Sequence, residues 1–296
     1  MYRQGELHRA GIAALLGKNV KAQVPQPLPI TFVPAEDNPA YADQLAEFNR
    51  LVGTGTDPRE VWAQTGIYSG AATGDVPVAE ISDHEADFVG GAPPVTGLNQ
   101  HEYNPLGDLF DHPELFAMYP QLADVNLQTT DQTPDSERRG YYRPPSFSRP
   151  EEIFLSLDEG DPDKTSARSI FFHEGQHFVQ HRSQSMPTGT SPKTLADLGV
   201  GQYLAENYPD YMDMVPDNRR LTEAQLDYVR SNPDFTEDDI YAYLFSPGEA
   251  LARATQNRLD LDDAGRRATY PEDSLDVPDA GIRAVHDFVR RSRRNQ

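Results

Sequence analysis

Apolar side chains return every three to four positions over residues 40–52, as Ala42, Leu45, Phe48, Leu51 and Val52, and this spacing predicts a helix. Asp57-Pro58-Arg59-Glu60 opens another, with Asp57 as N-cap, Pro58 at the first helical position and Glu60 at the third; it carries Val61 and Trp62 and stops at Gly66. Asp111 is placed to cap a short helix reaching Met118, with Pro113 in its first turn. In the second half, Ile153-Phe154-Leu155 and Leu157 predict a strand over 152–157. Helices are expected over 164–182 and near 194–206, 222–231, 236–245, 247–261 and 278–292. Other stretches break both periods. Pro25, Pro27, Pro29, Pro34 and Pro39 make 23–40 extended, because each ring fixes φ and biases the preceding residue away from helix. Residues 76–104 read as a hairpin or irregular loop around Val78-Ala79-Glu80-Ile81, and 128–150 are polar and proline-broken. The expectation is a mainly helical α+β protein with a small sheet, divided into a helical, Pro-rich region 1–135 and a second unit 136–296.

Composition narrows the chemistry. The 296 residues carry 47 acidic against 26 basic side chains, a formal charge of −21, so a broad basic face for nucleic acid is not expected. With no cysteine, disulfides, iron–sulfur clusters, thiolate zinc sites and cysteine nucleophiles are excluded, and a transition metal would need His, Asp or Glu. No apolar run approaches the length needed to span a bilayer. The run 10–16, preceded by Glu6, His8 and Arg9, reads as a short amphipathic helix ending near Gly17 rather than a signal peptide, which points to the cytoplasm.

The constellation that carries chemistry is His173-Glu174-Gly175-Gln176-His177. Two imidazoles four residues apart share one helix face, so both can reach a single Zn²⁺. Glu174, beside the first, is placed to act as general base on a zinc-bound water. Ile170-Phe171-Phe172 and Phe178-Val179 would anchor this helix in a core while the imidazoles face a cleft. The bland alternative is a core helix with two satisfied histidines. A catalytic zinc site wants a third protein ligand. His181 lies a further turn along the axis, a poor position. Glu249, in the first turn of a later helix, can meet the pair from the opposite side; but Ser246-Pro247-Gly248-Glu249 also reads as a capping box that needs no metal. Tyr241, Tyr243 and Arg253, close in sequence, are candidate donors to a developing oxyanion, and Arg253 is also placed to orient Glu249.

Residues 169–181, Tyr243 and Gly248-Glu249-Ala250-Leu251-Ala252-Arg253 resemble a zincin-like metallopeptidase domain of large polyvalent proteins of phages and mobile elements. There a His-Glu-x-Gln-His helix, followed by a nearby Gln, precedes a Gly-Glu-x-x-Ala-Arg helix; Gln176, Gln180, Gly248, Glu249, Ala252 and Arg253 fit. Asp57-Pro58-Arg59-Glu60-Val61-Trp62, Glu80-Ile81-Ser82-Asp83, Leu106-Gly107-Asp108 and His112-Pro113-Glu114-Leu115 resemble the same proteins. Gly175 departs from the pattern, where an apolar residue is usual, and glycine inside a helix costs about 1 kcal/mol against alanine. The resemblance implies a gluzincin-like peptidase with Glu249 as third ligand, a peptide or protein substrate, phage structural proteins as partners, and a place in the host cytoplasm or the virion.

Three rival readings remain. One is a structural virion protein that keeps a zincin fold, with its zinc structural or absent. Another is an interaction protein whose motif is accidental; carboxylate-only chemistry comes last, since no acidic pair stands out. In the leading reading, strand 152–157 would also offer a sheet edge to an extended substrate.

Overall fold

The computed structural model of the chain describes residues 30–82, 86–90, 103–130, 140–147, 149–156, 165–221, 223–231, 234, 236–259 and 261–294. The helix expected over 10–16 and the Gly91, Pro93 and Pro94 of the expected loop lie outside the described residues.

Of the segment expected to be extended, Ile30–Pro34 forms β1, whereas Ala35–Asp37 and Pro39–Tyr41 are 3₁₀ turns and 23–29 lie outside the described residues; α1 (Ala42–Gly53) and α2 (Pro58–Thr65) follow as the periodicity predicts. Asp57 accepts a hydrogen bond from the Arg59 amide, and Gly66 ends α2 with φ +69°, a conformation glycine adopts without strain. β2 (Ile67–Tyr68) and β3 (Val78–Ser82) complete an antiparallel sheet in the order β1-β3-β2. The apolar run at 78–81 is therefore the central strand, and its partners β1 and β2 both precede it rather than lying within 76–104.

β4 (Asp87–Phe88) pairs with β5 (Phe110–Asp111), which follows the single-turn α3 (Leu106–Leu109) and precedes α4 (Pro113–Met118). The cap of α4 is His112, whose Nδ1 accepts from the Leu115 amide; Asp111 is drawn one residue back into β5.

The third sheet contains β6 (Asn126–Thr130), β7 (Gly140–Arg143) and β8 (Glu152–Ser156), in the order β6-β8-β7. β8 runs parallel to β6 and antiparallel to β7. Both its edges are occupied, so the expected substrate edge is not on this strand; β7 is the outer strand beside the following helix. The boundary drawn near 135 falls between β6 and β7, two strands of this one sheet.

Helices dominate from there. They are α5 (Thr165–Ser183), α6 (Pro192–Leu198), α7 (Val200–Asn207), α8 (Glu223–Ser231), α9 (Glu237–Leu244), α10 (Pro247–Asn257), α11 (Asp263–Ala268) and α12 (Asp279–Arg294). The single helix expected near 194–206 is broken by Gly199 at φ +72°. The result is a mainly helical α+β architecture with small sheets.

Two apolar clusters meet along α5 and α10. Phe171, Phe172, Phe178 and Val179 of α5 pack with Val33, Phe88, Phe110, Leu127 and Ile153. Ala250, Leu251 and Ala254 of α10 pack instead with Phe32, Trp62, Tyr241, Phe245 and Ile282. Each helix thus buries its apolar side in a different core, and their remaining faces turn toward one another. Those faces carry the polar residues singled out above.

Candidate metal centre

Along α5, residues 173, 176, 177 and 180 lie on one face, and along α10 so do 249, 252, 255 and 256. His173 Nε2 lies 3.4 Å from Glu249 Oε2, and His177 Nε2 lies 3.2 Å from Glu249 Oε1. The three side chains are 15%, 10% and 4% exposed, in the order His173, His177, Glu249. They form the one group of His, Asp or Glu side chains able to hold a metal ion among the described residues.

Neighbouring glutamines orient both imidazoles. Gln180 Nε2 donates to the Gly248 carbonyl at 2.9 Å, which leaves its Oε1, 2.9 Å from His177 Nδ1, as an acceptor. Gln256 Nε2 donates to the Ser169 carbonyl and hydroxyl, leaving its Oε1 3.1 Å from His173 Nδ1. Each Nδ1 therefore carries a proton, and each ring turns its Nε2 toward the Glu249 carboxylate. A ring nitrogen facing a carboxylate needs a positive charge between them, either a proton on the ring or a metal ion. Burial alone would depress the His177 pKa, but the charge and hydrogen bond of Glu249 push it up to about 9. Burial alone would likewise raise Glu249, but His177 and His173 hold it well below the usual carboxylate range. A divalent cation satisfies all three groups at once. Zinc bonds of about 2.0–2.1 Å at tetrahedral angles separate two ligand atoms by about 3.3 Å, close to both nitrogen–oxygen distances observed.

The capping box does not form. Ser246 is the N-cap of α10 but makes no side-chain capping bond, and its buried hydroxyl has no hydrogen-bond partner. Glu249 has turned from the helix end to the imidazoles. Tyr243 donates to its Oε2 at 2.7 Å, and burial followed by the Glu249 charge pushes that phenol well above its ordinary value. Tyr243 therefore stays a neutral donor, held on the carboxylate.

Glu174 is 7% exposed. Burial raises its pKa, the charges of His173 and His177 offset this in part, and Glu249 adds to the rise; the Tyr142 amide of β7 donates a hydrogen bond to it. Gly140 brings the strand close, since a Cβ there would stand 3.0 Å from Glu174 Oε1.

Other candidates lie elsewhere. Arg253 does not orient Glu249: its Nε bonds both oxygens of Asp276 at 2.8–2.9 Å, and its Nη2 donates to the Leu244 carbonyl. Asp276 also pairs with Arg219, so Arg253 is committed to a partly buried ion pair that ties α10 to the segment before α12. Tyr241 accepts from the Leu221 amide within the core, and the His181 ring tilts against Tyr142. Gln176 binds backbone rather than metal, accepting from the Phe32 amide at 2.8 Å and donating to the Phe32 carbonyl at 3.0 Å.

Sequence reasoning missed Gln256 and Gly189. Gln256 sits seven residues after Glu249 on the same helix face, a spacing that could have found it. Gly189 left no signal. Its backbone packs so closely that a Cβ would stand 2.6 Å from His177 Nδ1 and 3.1 Å from Glu249 Oε1. Comparisons with protein-family models, curated proteins and solved structures return no match, so the functional reading rests on this geometry and its chemistry.

Proposed function

We propose that the chain is a zincin-like, zinc-dependent peptide hydrolase, with His173, His177 and Glu249 as the ligands. The observation that carries the reading is the convergence of two imidazole Nε2 atoms on one buried carboxylate, with each Nδ1 held by a glutamine. Two imidazoles and a carboxylate, with no thiolate, match the ligand set of catalytic rather than structural zinc. Zinc would supply Lewis acidity and lower the pKa of water to about 7.

The chain's own residues supply the rest. Glu174, adjacent to the first ligand and raised by burial, is suited to taking a proton from water and returning it to a leaving amine near neutral pH. Its bond from the Tyr142 amide fixes the carboxylate against β7, the outer strand beside which an extended peptide would lie. Tyr243, on Glu249, holds the third ligand in place. The resemblance to zincin-like domains of phage polyvalent proteins makes phage structural proteins the first partners to test. Among the described residues no helix is long and apolar enough to cross a membrane.

The test is zinc stoichiometry together with hydrolysis of a mixed peptide library. Wild-type protein should hold one zinc per chain, lost in His173→Ala and Glu249→Ala. Glu174→Gln should keep the zinc and lose at least about 10²-fold in hydrolysis, whereas His177→Ala should lose both. Full activity in Glu174→Gln would refute the mechanism, and absence of zinc from reloaded wild type would refute the site.

A structural zinc site in a virion protein is the second reading, favoured by how little of the three ligands is exposed. Cobalt-loaded protein separates the two, because a hydroxamate shifts the visible spectrum only where the metal has a position open to it.

A further inference from the structure

A cavity of about 360 Å³ lies between the segment 184–190, α6, α12 and the start of α10. Its volume falls in the range of small-molecule sites. Met186, Leu195 and Val289 give it an apolar wall. Ser246 also lines it; this residue is 2% exposed, and its hydroxyl has no hydrogen-bond partner. A buried hydroxyl without a partner is costly, so it marks a place where a bound acceptor or donor would be favoured.

Arg290 and Arg294, one turn apart on α12, line the solvent side of the same cavity. Neither is paired with a carboxylate among the described residues. In a chain of net charge −21, two adjacent unpaired guanidiniums beside an apolar cavity are unexpected on composition alone.

We infer that this cavity binds the C-terminal residue of a polypeptide with an apolar side chain. The carboxylate would pair with Arg290 and Arg294, the side chain would lie on Met186, Leu195 and Val289, and the preceding amide carbonyl would accept from the Ser246 hydroxyl. An aliphatic acid shares the first two features and lacks the third, so Ser246 separates the two sources. The inference does not depend on the metal reading, because no ligand of the metal centre lines the cavity.

Calorimetric titration of the full chain with N-acetyl-leucine, N-acetyl-leucinamide and 4-methylpentanoate tests this. One N-acetyl-leucine should bind per chain, with the amide about tenfold weaker, as loss of a charge-assisted pair implies. Arg290→Ala/Arg294→Ala should weaken the acid by a similar factor; both side chains are exposed, so the fold should survive. Ser246→Ala, which removes no existing hydrogen bond, should weaken N-acetyl-leucine about threefold to tenfold and leave 4-methylpentanoate unchanged. No binding, equal binding of acid and amide, or indifference to the arginine substitutions would overturn the site. Equal binding of the two acids, unaffected by Ser246→Ala, would overturn the polypeptide assignment in favour of a free aliphatic acid.

Discussion

Gln180 decides how His177 presents itself. Its amide is fixed by the Gly248 carbonyl, so its oxygen accepts the Nδ1 proton and the Nε2 lone pair is left for a metal. Gln180→Leu removes that acceptor and leaves both the Nδ1 proton and the Gly248 carbonyl unsatisfied in a buried place. Partners of metal-bound histidines are typically worth about 10–100-fold in affinity. Zinc affinity, measured by competition with a chromophoric chelator, should fall by that factor while the far-UV spectrum is unchanged. Unaltered affinity would mean that Gln180 does not set the tautomer. The two imidazoles and their glutamate were legible in the sequence, because a spacing of four fixes a helix face and the chemistry needs a third donor. The choice between ligand and helix cap for Glu249 was not. It depends on where α10 lies against α5, and the unpartnered Ser246 hydroxyl shows that the cap is not formed. Arg253 misled for the same reason: one turn of helix places it near Glu249, but only the fold brings Asp276 within reach.

Between elements, the contact that aligns α5 is Gln176 on β1. A side-chain amide matches the backbone of Phe32 at both donor and acceptor, so α5 is held against the edge of the first sheet as a further strand would be. Thr255 of α10 donates to the same Gln176 oxygen at 3.3 Å, which brings the helices that carry His173, His177 and Glu249 onto one anchor. Gln176→Leu keeps the volume and abandons the Phe32 amide and carbonyl in the core. Two buried groups without partners predict a loss of roughly 2–4 kcal/mol in urea unfolding; a loss under 1 kcal/mol would show that β1 finds other partners. Helices were read well from sequence because their period and caps are local, as Asp57 and Gly66 illustrate. Strand partners were not. The run 152–157 was a strand on inspection, but its central position depends on β6 and β7, which flank a stretch too polar and proline-rich to suggest pairing.

Across the whole molecule, the sequence suggested a division near residue 135 that the strand pairing crosses. β6 is the parallel partner of β8, Phe32 and Trp62 share a core with Phe245 and Ile282, and Arg258, fully buried, pairs with Glu80 at 2.6 Å. A fragment comprising 136–296 should therefore lack cooperative unfolding in circular dichroism, whereas an independent domain would melt as one. The same burial makes stability fall in alkali. Tyr41 is pushed up to about 12 by burial and then by the charges of Glu114 and Glu80, and Tyr270 to about 12 by burial and then by Glu272. Tyr68, Tyr119 and Tyr142 move the same way, burial being the largest cause in each. Below pH 10 these phenols are neutral whether the chain is folded or not, and their preference adds nothing that varies with pH. Above it the unfolded chain releases protons that the folded chain retains, so stability drops from about pH 10 and continues to drop through about pH 12. Only four lysines against 14 tyrosines titrate in this window, so the tyrosines dominate it. The urea midpoint, followed with tyrosinate absorbance, should be level to about pH 9.5 and decline beyond. Tyr41→Phe and Tyr270→Phe should each make the decline shallower, and a midpoint level to pH 12 would show that these phenols ionise as freely in the folded chain as in the unfolded one.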